Sequence, residues 1–141
     1  MSLDLNKLNP NQREAVLHGD GPLLVLAGAG SGKTSTMSYR VAHLMAARKV
    51  PGENILGLSF TNKAAHELKE RVSKLVSQTS GKRATRGLTI TTFHSLCVRL
   101  LRAHADLIGF AKNFSIIDDS DQKDILRQIL RQPSNTDRLR L

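Results

Sequence analysis

A glycine-rich loop between two apolar segments places the strongest constraint on how this chain folds. The five apolar residues 23–27 stand directly before the loop, and a segment with apolar residues at three- and four-residue steps begins at Lys33. A fully apolar run of this length indicates a strand buried on both faces of a parallel sheet, and the later spacing indicates an amphipathic helix. We therefore expect a strand, a tight loop and a helix in direct succession.

The strand-then-helix pattern recurs twice further along the chain. Residues 55–60 and 88–92 are predicted strands, and helical periodicity follows at residues 64–75 and 93–105. An earlier helix is predicted from Asn9, as its N-cap, and Pro10, in its first turn. Residues 77–86 are a predicted loop, 114–117 a candidate strand, and Asp118 opens a predicted helix through residues 125–130. Such alternation predicts an α/β fold with a parallel sheet flanked by helices.

Composition limits the class of protein. The chain has 141 residues, with 21 Lys and Arg against 12 Asp and Glu, a formal charge of +9. This length suits one compact domain, and the charge suits either a polyanionic partner such as nucleic acid or a solvated basic surface. Cys97 and Phe93 lie in an apolar run and are predicted to be buried. Without a long apolar stretch or a signal peptide, we expect no membrane partner and a cytoplasmic location.

The loop has the residue types of a phosphate-binding site. Its residues are Ala27, Gly28, Ala29, Gly30, Ser31, Gly32, Lys33 and Thr34. They match the P-loop pattern, with Ala27 where glycine is usual. Small residues let backbone amides point at phosphate oxygens, and the next helix adds its positive N-terminal end. We therefore predict ATP and Mg²⁺ as cofactors, with Lys33 on the β- and γ-phosphates and the Thr34 hydroxyl on Mg²⁺ as the catalytic pair.

Four segments in this order resemble the superfamily 1 DNA helicases of the UvrD/Rep/PcrA type. They are LNPNQREAV at residues 8–16, AGAGSGKT at 27–34, FTNKAA at 60–65 and TTFHSL at 91–96. The resemblance extends to about Gln122. It implies a RecA-like P-loop NTPase fold, with the N-terminal part of the first ATP-binding motor domain at residues 1–117 and the start of a helical insertion subdomain at 118–141.

The resemblance also implies a function. It points to an ATP-dependent 3′–5′ DNA helicase that unwinds DNA in replication or repair. Family members are several times longer, so we expect an N-terminal portion with an incomplete lobe, which binds its ligands without driving unwinding. The implied partners are single-stranded DNA or single/double-strand junctions, and the remainder of the helicase chain.

Gln12 has two interpretations. The resemblance implies that it recognises the adenine edge, since a carboxamide offers both a donor and an acceptor to the base. Its position as the third helical residue after Asn9 also fits a capping box, which needs no nucleotide.

The resemblance places DNA-binding residues after the second and third predicted strands, at Phe60, Thr61, Asn62, Thr92 and His94. Phe60 would stack on a base while Thr61 and Asn62 contact the backbone. Thr92 and His94 would contact phosphates. The alternatives are Phe60 in the core, Thr61 as the cap of the next helix and a structural role for His94.

Two departures from the family pattern bear on catalysis. Ser35 stands where the family usually has Arg, and the acidic Asp-Glu segment that holds Mg²⁺ is missing from the sequence. A P-loop kinase or transport ATPase acting on something other than DNA remains one alternative, and it would need a substrate lid or an acidic acceptor site. A non-catalytic nucleic-acid-binding module is the other.

Overall fold

The computed structural model describes residues 3–80 and 85–131. Within them, the α-helices are α1 (Pro10–Leu17), α2 (Lys33–Ala46), α3 (Asn62–Ser80), α4 (Phe93–Ala103) and α5 (Asp119–Arg131). The strands are β1 (Leu56–Ser59) and β2 (Thr89–Thr92), and short 3-10 helices lie at Gly52–Asn54 and Ala105–Ile108. The chain divides into two compact units, Met1–Val98 and Arg99–Leu141. The predicted division at residues 117 and 118 stays a prediction.

The sheet consists of two parallel strands joined through α3. Leu56 of β1 lies opposite Thr89 of β2, and Ser59 lies opposite Thr92. A Cβ on Gly57 would come within 3.1 Å of the Ile90 side chain, so the strands and their side chains approach closely there. This mixed arrangement of helices around a small parallel sheet is compatible with the predicted α/β class.

The core of the first unit lies between α2, α3 and the two strands. Its buried residues are Ala42, Met45, Ile55, Ala65, Leu68, Val72, Val76, Leu88 and Ile90. The α3 members recur at three- and four-residue steps, which directs one stripe of the helix toward the sheet. The predicted periodicity of this helix is therefore confirmed.

The first predicted strand is not formed. Residues 22–28 carry no strand ladder, and Leu24 and Leu26 are 81% and 87% exposed. An apolar run becomes a buried strand only when a neighbouring strand binds its backbone and a second layer covers its side chains. In the described part of the chain β1 pairs with β2 alone, so this segment lacks such a neighbour.

Several smaller sequence predictions also differ from the structure. α3 continues to Ser80, beyond the predicted loop start, because its apolar stripe extends to the buried Val76; residues 81–84 of that loop lie outside the described residues. Residues 114–117 form no strand. Cys97 is exposed and Phe93 is 57% exposed, so the prediction that both are buried is wrong. No residue of α4 is buried.

Short polar side chains fix where the helices begin. Asn9 caps α1, and Thr61 Oγ1 accepts from the amide of Ala64 at 3.1 Å at the start of α3. Asp118 Oδ1 accepts from the amides of Ser120 and Asp121 at 2.8 and 2.9 Å, as the predicted helix opening requires. Hydrogen bonds lower the pKa of the Asp118 carboxyl. The bond from the Asp121 amide has the largest effect, and those from Ser120 come next. None of the described helices combines the length and hydropathy that a membrane span requires.

Candidate functional site

The phosphate loop has a tight turn supported by glycines. Gly30 and Gly32 have φ angles of +74° and +88°, a region that residues with a Cβ rarely adopt. Ser31 Oγ donates to the Gly28 carbonyl at 2.8 Å and closes the turn. α2 begins directly at Lys33 with Gly32 as its N-cap, and this cap makes no side-chain hydrogen bond. The first-turn amides of α2 are therefore directed toward the space where an anion would bind.

Lys33 lies folded onto the loop. Its Nζ donates to the carbonyl oxygens of Ala27 and Gly28 at 2.9 and 2.8 Å. The ammonium group is thus held beside the turn instead of extending into solvent.

Thr34 is exposed in the first turn of α2. The described residues contain no cluster of three or more His, Cys, Asp or Glu side chains that could hold a metal ion. A Mg²⁺ ion needs about six oxygen ligands, which near this hydroxyl would come mainly from phosphates and water. Thr34 therefore offers one hydroxyl oxygen to such an ion.

Gln12 forms the capping box and also contacts the phosphate loop. Its backbone N–H donates to Asn9 Oδ1 at 2.9 Å, and its side-chain Oε1 accepts from the backbone N–H of Asn9 at 3.1 Å. The capping box is therefore formed. Its Nε2 also donates to the Ser31 carbonyl at 2.9 Å. A Cβ on Gly32 would lie only 2.6 Å from that nitrogen. The side chain thus joins α1 to the phosphate loop, a contact that the sequence did not reveal.

Arg40 is a second link that the sequence did not reveal. From α2 it donates through Nη1 to the carbonyls of Val16 and His18, the former at 3.0 Å, and through Nη2 to that of Gly19 at 3.1 Å. These carbonyls lie at the C-terminal end of α1. The only signal in the sequence is a lone arginine on the helix that follows the loop, which is too common to indicate this contact.

His43, on the same helix, has a shifted pKa. Burial, then the nearby charges of Arg40 and Arg48, lower the pKa of His43 below its ordinary value. A cavity of about 310 Å³ opens near this surface and is lined in part by Lys33, Arg40 and Leu23. The cavity beside the loop is thus lined by the basic side chains of Lys33 and Arg40 together with apolar residues.

Phe60 and His94 follow the two strands at one edge of the sheet. The strands are parallel and Ser59 lies opposite Thr92, so the residues after each strand leave from the same edge, where α/β proteins place ligands. Phe60 is 86% exposed, which is not the core position considered as an alternative. His94 is exposed in the first turn of α4.

The polar residues of this edge are largely engaged in capping. Thr61 caps α3, as the alternative interpretation proposed, and Asn62 is the exposed first residue of that helix. Thr92 is 5% exposed, accepts from the Ser95 amide at 3.2 Å and donates to Ser95 Oγ at 2.9 Å. We call Phe60, Thr61, Asn62 and His94 the strand-end surface.

Comparisons with known proteins match most of the chain. Residues 8–141 match the family model for the UvrD/REP helicase N-terminal domain. The chain is 47% identical over 131 residues to the ATP-dependent DNA helicase PcrA of Staphylococcus aureus (strain Mu50 / ATCC 700699), covering 93% of this chain and 17% of that protein. It is 49% identical over 128 residues to the ATP-dependent DNA helicase PcrA of Bacillus subtilis (strain 168), covering 91% and 17%.

A third relative is the ATP-dependent DNA helicase UvrD1 of Mycobacterium leprae (strain TN). It is 50% identical over 126 residues, covering 89% of this chain and 16% of that protein. The chain thus spans about 17% of the length of the curated relatives that it matches.

Proposed function

Because the chain belongs to the UvrD/REP helicase N-terminal domain family, we propose that it binds Mg-ATP at residues 27–34 and single-stranded DNA at the strand-end surface. The relatives are named ATP-dependent DNA helicases, which agrees with both ligands. One observation carries the proposal: α2 begins at Lys33 directly after a glycine turn, and the lysine ammonium lies on that turn.

The nucleotide end of the site would work through named groups. Lys33 would exchange the Ala27 and Gly28 carbonyls for oxygens of the β- and γ-phosphates, and first-turn amides of α2 would donate to the same phosphates. The Thr34 hydroxyl would be a Mg²⁺ ligand. Gln12 would present its carboxamide to the adenine, while the Asn9 side chain keeps its hydrogen bond from the Gln12 backbone N–H at the start of the helix. In a complete helicase, hydrolysis of Mg-ATP would supply the free energy of unwinding, on the order of 1.4 kcal/mol for each base-pair step.

The strand-end surface would bind a strand without regard to sequence. The exposed ring of Phe60 offers a face on which any base can stack, and Thr61 and Asn62 lie beside it for backbone contacts. His94 would contribute a phosphate contact. Thr92 would act through its cap, which fixes the N-terminal turn of α4 and so the position of His94.

The wider function follows the family. We propose that the protein acts as part of a 3′–5′ DNA helicase in replication or repair, on single-stranded DNA or single/double-strand junctions. Its partner within such a machine would be further helicase sequence that completes the motor, and its location would be the cytoplasm. A division into a motor domain at residues 1–117 and a helical insertion from residue 118 belongs to the same proposal.

Two titrations on the same chain test the proposal. A fluorescent ATP analogue with Mg²⁺ should bind saturably, and a fluorescein-labelled oligothymidine should bind with an affinity that falls as salt rises, because it releases counterions. Excess unlabelled ATP should displace the analogue and leave most of the oligonucleotide bound. A blunt duplex of equal length is the matched control and should bind more weakly.

Two outcomes would contradict the proposal. Failure of the analogue to bind would remove the nucleotide site. Stoichiometric displacement of the oligonucleotide by ATP would mean that one anion site serves both ligands, which a separate strand-end surface does not allow.

A further inference from the structure

The guanidinium of Arg40 forms hydrogen bonds to carbonyl groups at the C-terminal end of α1. α1 has eight residues, and its last carbonyl groups have no partner within the helix. Arg40 donates to the carbonyls of Val16, His18 and Gly19, over sequence separations of 21 to 24 residues. A cation at a helix C-terminus also interacts favourably with the negative end of the helix dipole.

The other end of α1 is fastened to the phosphate loop. Gln12 donates to the Ser31 carbonyl at 2.9 Å, and its amide nitrogen lies against Gly32, where a Cβ would be 2.6 Å away. The side chain of Val16, whose carbonyl accepts from Arg40, is fully buried. α1 is therefore held at both ends and at one apolar point.

The Arg40 contacts come from α2, and the Gln12 contact is to the loop directly before α2. Arg40 lies on α2 two turns after Lys33, a separation of about 10 Å along the helix axis. A helix as short as α1 has little stability of its own, so its orientation depends on its tertiary contacts. Loss of the Arg40 contacts would leave the capping box intact but would let Gln12 move relative to the loop.

We propose that Arg40 is a positioning residue that sets the preference of this chain for adenine by holding α1, and with it Gln12, against the phosphate loop. The inference rests on the proposed nucleotide site and on the proposed role of Gln12 at the base. Arginine suits this task because its planar fork can serve several carbonyls at once, whereas lysine is a point charge on a flexible stem.

Base selectivity separates this role from a general structural one. We would compete ATP, GTP and inorganic tripolyphosphate against the fluorescent ATP analogue, using the full chain. Arg40→Gln should weaken ATP binding by about tenfold, the value of one well-placed hydrogen bond, with tripolyphosphate changed by less than about twofold. Gln12→Ala should give the same loss of ATP preference, and the double variant should lose no more than either single variant.

Arg48→Gln is the matched control. It removes the same charge from a position two residues after α2, where Arg48 pairs with the exposed Asp20 at 2.7 Å and contacts none of the α1 carbonyls that Arg40 binds. It should keep the wild-type ratio of ATP to GTP affinity. Arg40→Lys should give a ratio of ATP to GTP affinity between those of the wild type and Arg40→Gln. If circular dichroism shows that Arg40→Gln is unfolded, the Arg40→Lys ratio is the test of the inference.

The outcomes distinguish this inference from the function on which it rests. Equal affinity of the wild type for ATP and GTP would overturn both the adenine role of Gln12 and the inference. A wild-type preference that Gln12→Ala removes but Arg40→Gln or Arg40→Lys fully keeps would overturn the inference alone. An equal loss of tripolyphosphate and ATP binding in the Arg40 variants would also overturn it, because the loop itself would then have been disturbed.

Discussion

The phosphate loop and the strand-end surface lie in the same unit but are built in opposite ways. At the loop, long polar side chains fold back onto the backbone: Lys33 and Gln12 both donate to loop carbonyls. At the strand ends, Phe60 is open to solvent and the hydroxyl of Thr61 caps a helix. The loop is thus shaped by the groups that we propose bind its ligand, whereas at the strand ends the proposed main contact group, Phe60, is separate from the capping residue Thr61.

This difference predicts how variants of the two regions should behave. A substitution at the loop removes a ligand contact and a contact that shapes the loop together. A substitution at the strand ends should act mainly on one of the two, on the DNA contact at Phe60 or on the helix cap at Thr61. The two regions should therefore respond independently, and each variant below is chosen to separate the nucleotide response from the DNA response or the binding response from the stability response.

Lys33→Ala should have the largest effect. It removes the charged donor to the phosphates and should weaken binding of the fluorescent ATP analogue by about 3 kcal/mol, or about 100-fold. Oligothymidine affinity, measured by anisotropy, should stay within about twofold of wild type. Lys69→Ala, an exposed lysine on α3, is the matched control for lost charge and should bind the analogue normally.

The contrast between the two regions would be wrong if Lys33→Ala lowered the affinities for the ATP analogue and for oligothymidine equally. Such a result would mean that the loop and the strand ends form one anion-binding surface. Unchanged affinity for the analogue would instead reject the phosphate loop as the nucleotide site.

Phe60→Ala should have the next largest effect, and on the other ligand. Loss of a stacking face should weaken oligothymidine binding by about 1–3 kcal/mol, measured by anisotropy, without changing the affinity for the ATP analogue. Because the ring is 86% exposed, its removal leaves no cavity and should not lower the unfolding temperature.

Phe60→Leu distinguishes stacking from general apolar contact. It keeps a large apolar side chain but has no aromatic face, so it should lose nearly as much affinity as Phe60→Ala. Full DNA affinity in the leucine variant would show that the aromatic ring is not needed, and full affinity in the alanine variant would remove Phe60 from the surface.

The sequence predicted those elements that depend on neighbours close in the chain. The starts of α1, α2 and α5 follow from Asn9, the glycine loop and Asp118, whose effects extend over a few residues. The predicted strands β1 and β2 are also formed, because each of the two apolar runs pairs with the other. Residues 23–27 have the same apolar character without such a partner, and periodicity cannot reveal whether a neighbour is present.

The candidate site shows the same limit. The loop residues and the cap function of Gln12 could be predicted because both depend on local spacing. The contacts from Gln12 to Ser31 and from Arg40 to the end of α1 span 19 to 24 residues. They depend on how two helices pack together, which no short segment of sequence records.

Thr61→Ala should have the smallest effect, and mainly on stability. Its hydroxyl accepts from the Ala64 amide at 3.1 Å, and loss of an N-cap typically lowers the free energy of unfolding by about 1 kcal/mol. Urea denaturation followed by circular dichroism measures this change. The proposed backbone contact should add a loss of DNA affinity smaller than that of Phe60→Ala, measured where the variant remains folded.

Thr61→Ser is the informative control because it keeps the oxygen and removes only a methyl group. If the hydroxyl acts as the cap, serine should restore most of the stability that alanine loses, since both hydroxyls can accept from the same amide. A stability loss equal to that of alanine would show that the methyl group matters more than the cap. A loss of DNA affinity in Thr61→Ala as large as that of Phe60→Ala would place the main strand contact on the capping residue, and the separation of capping residue from contact group at the strand ends would no longer hold.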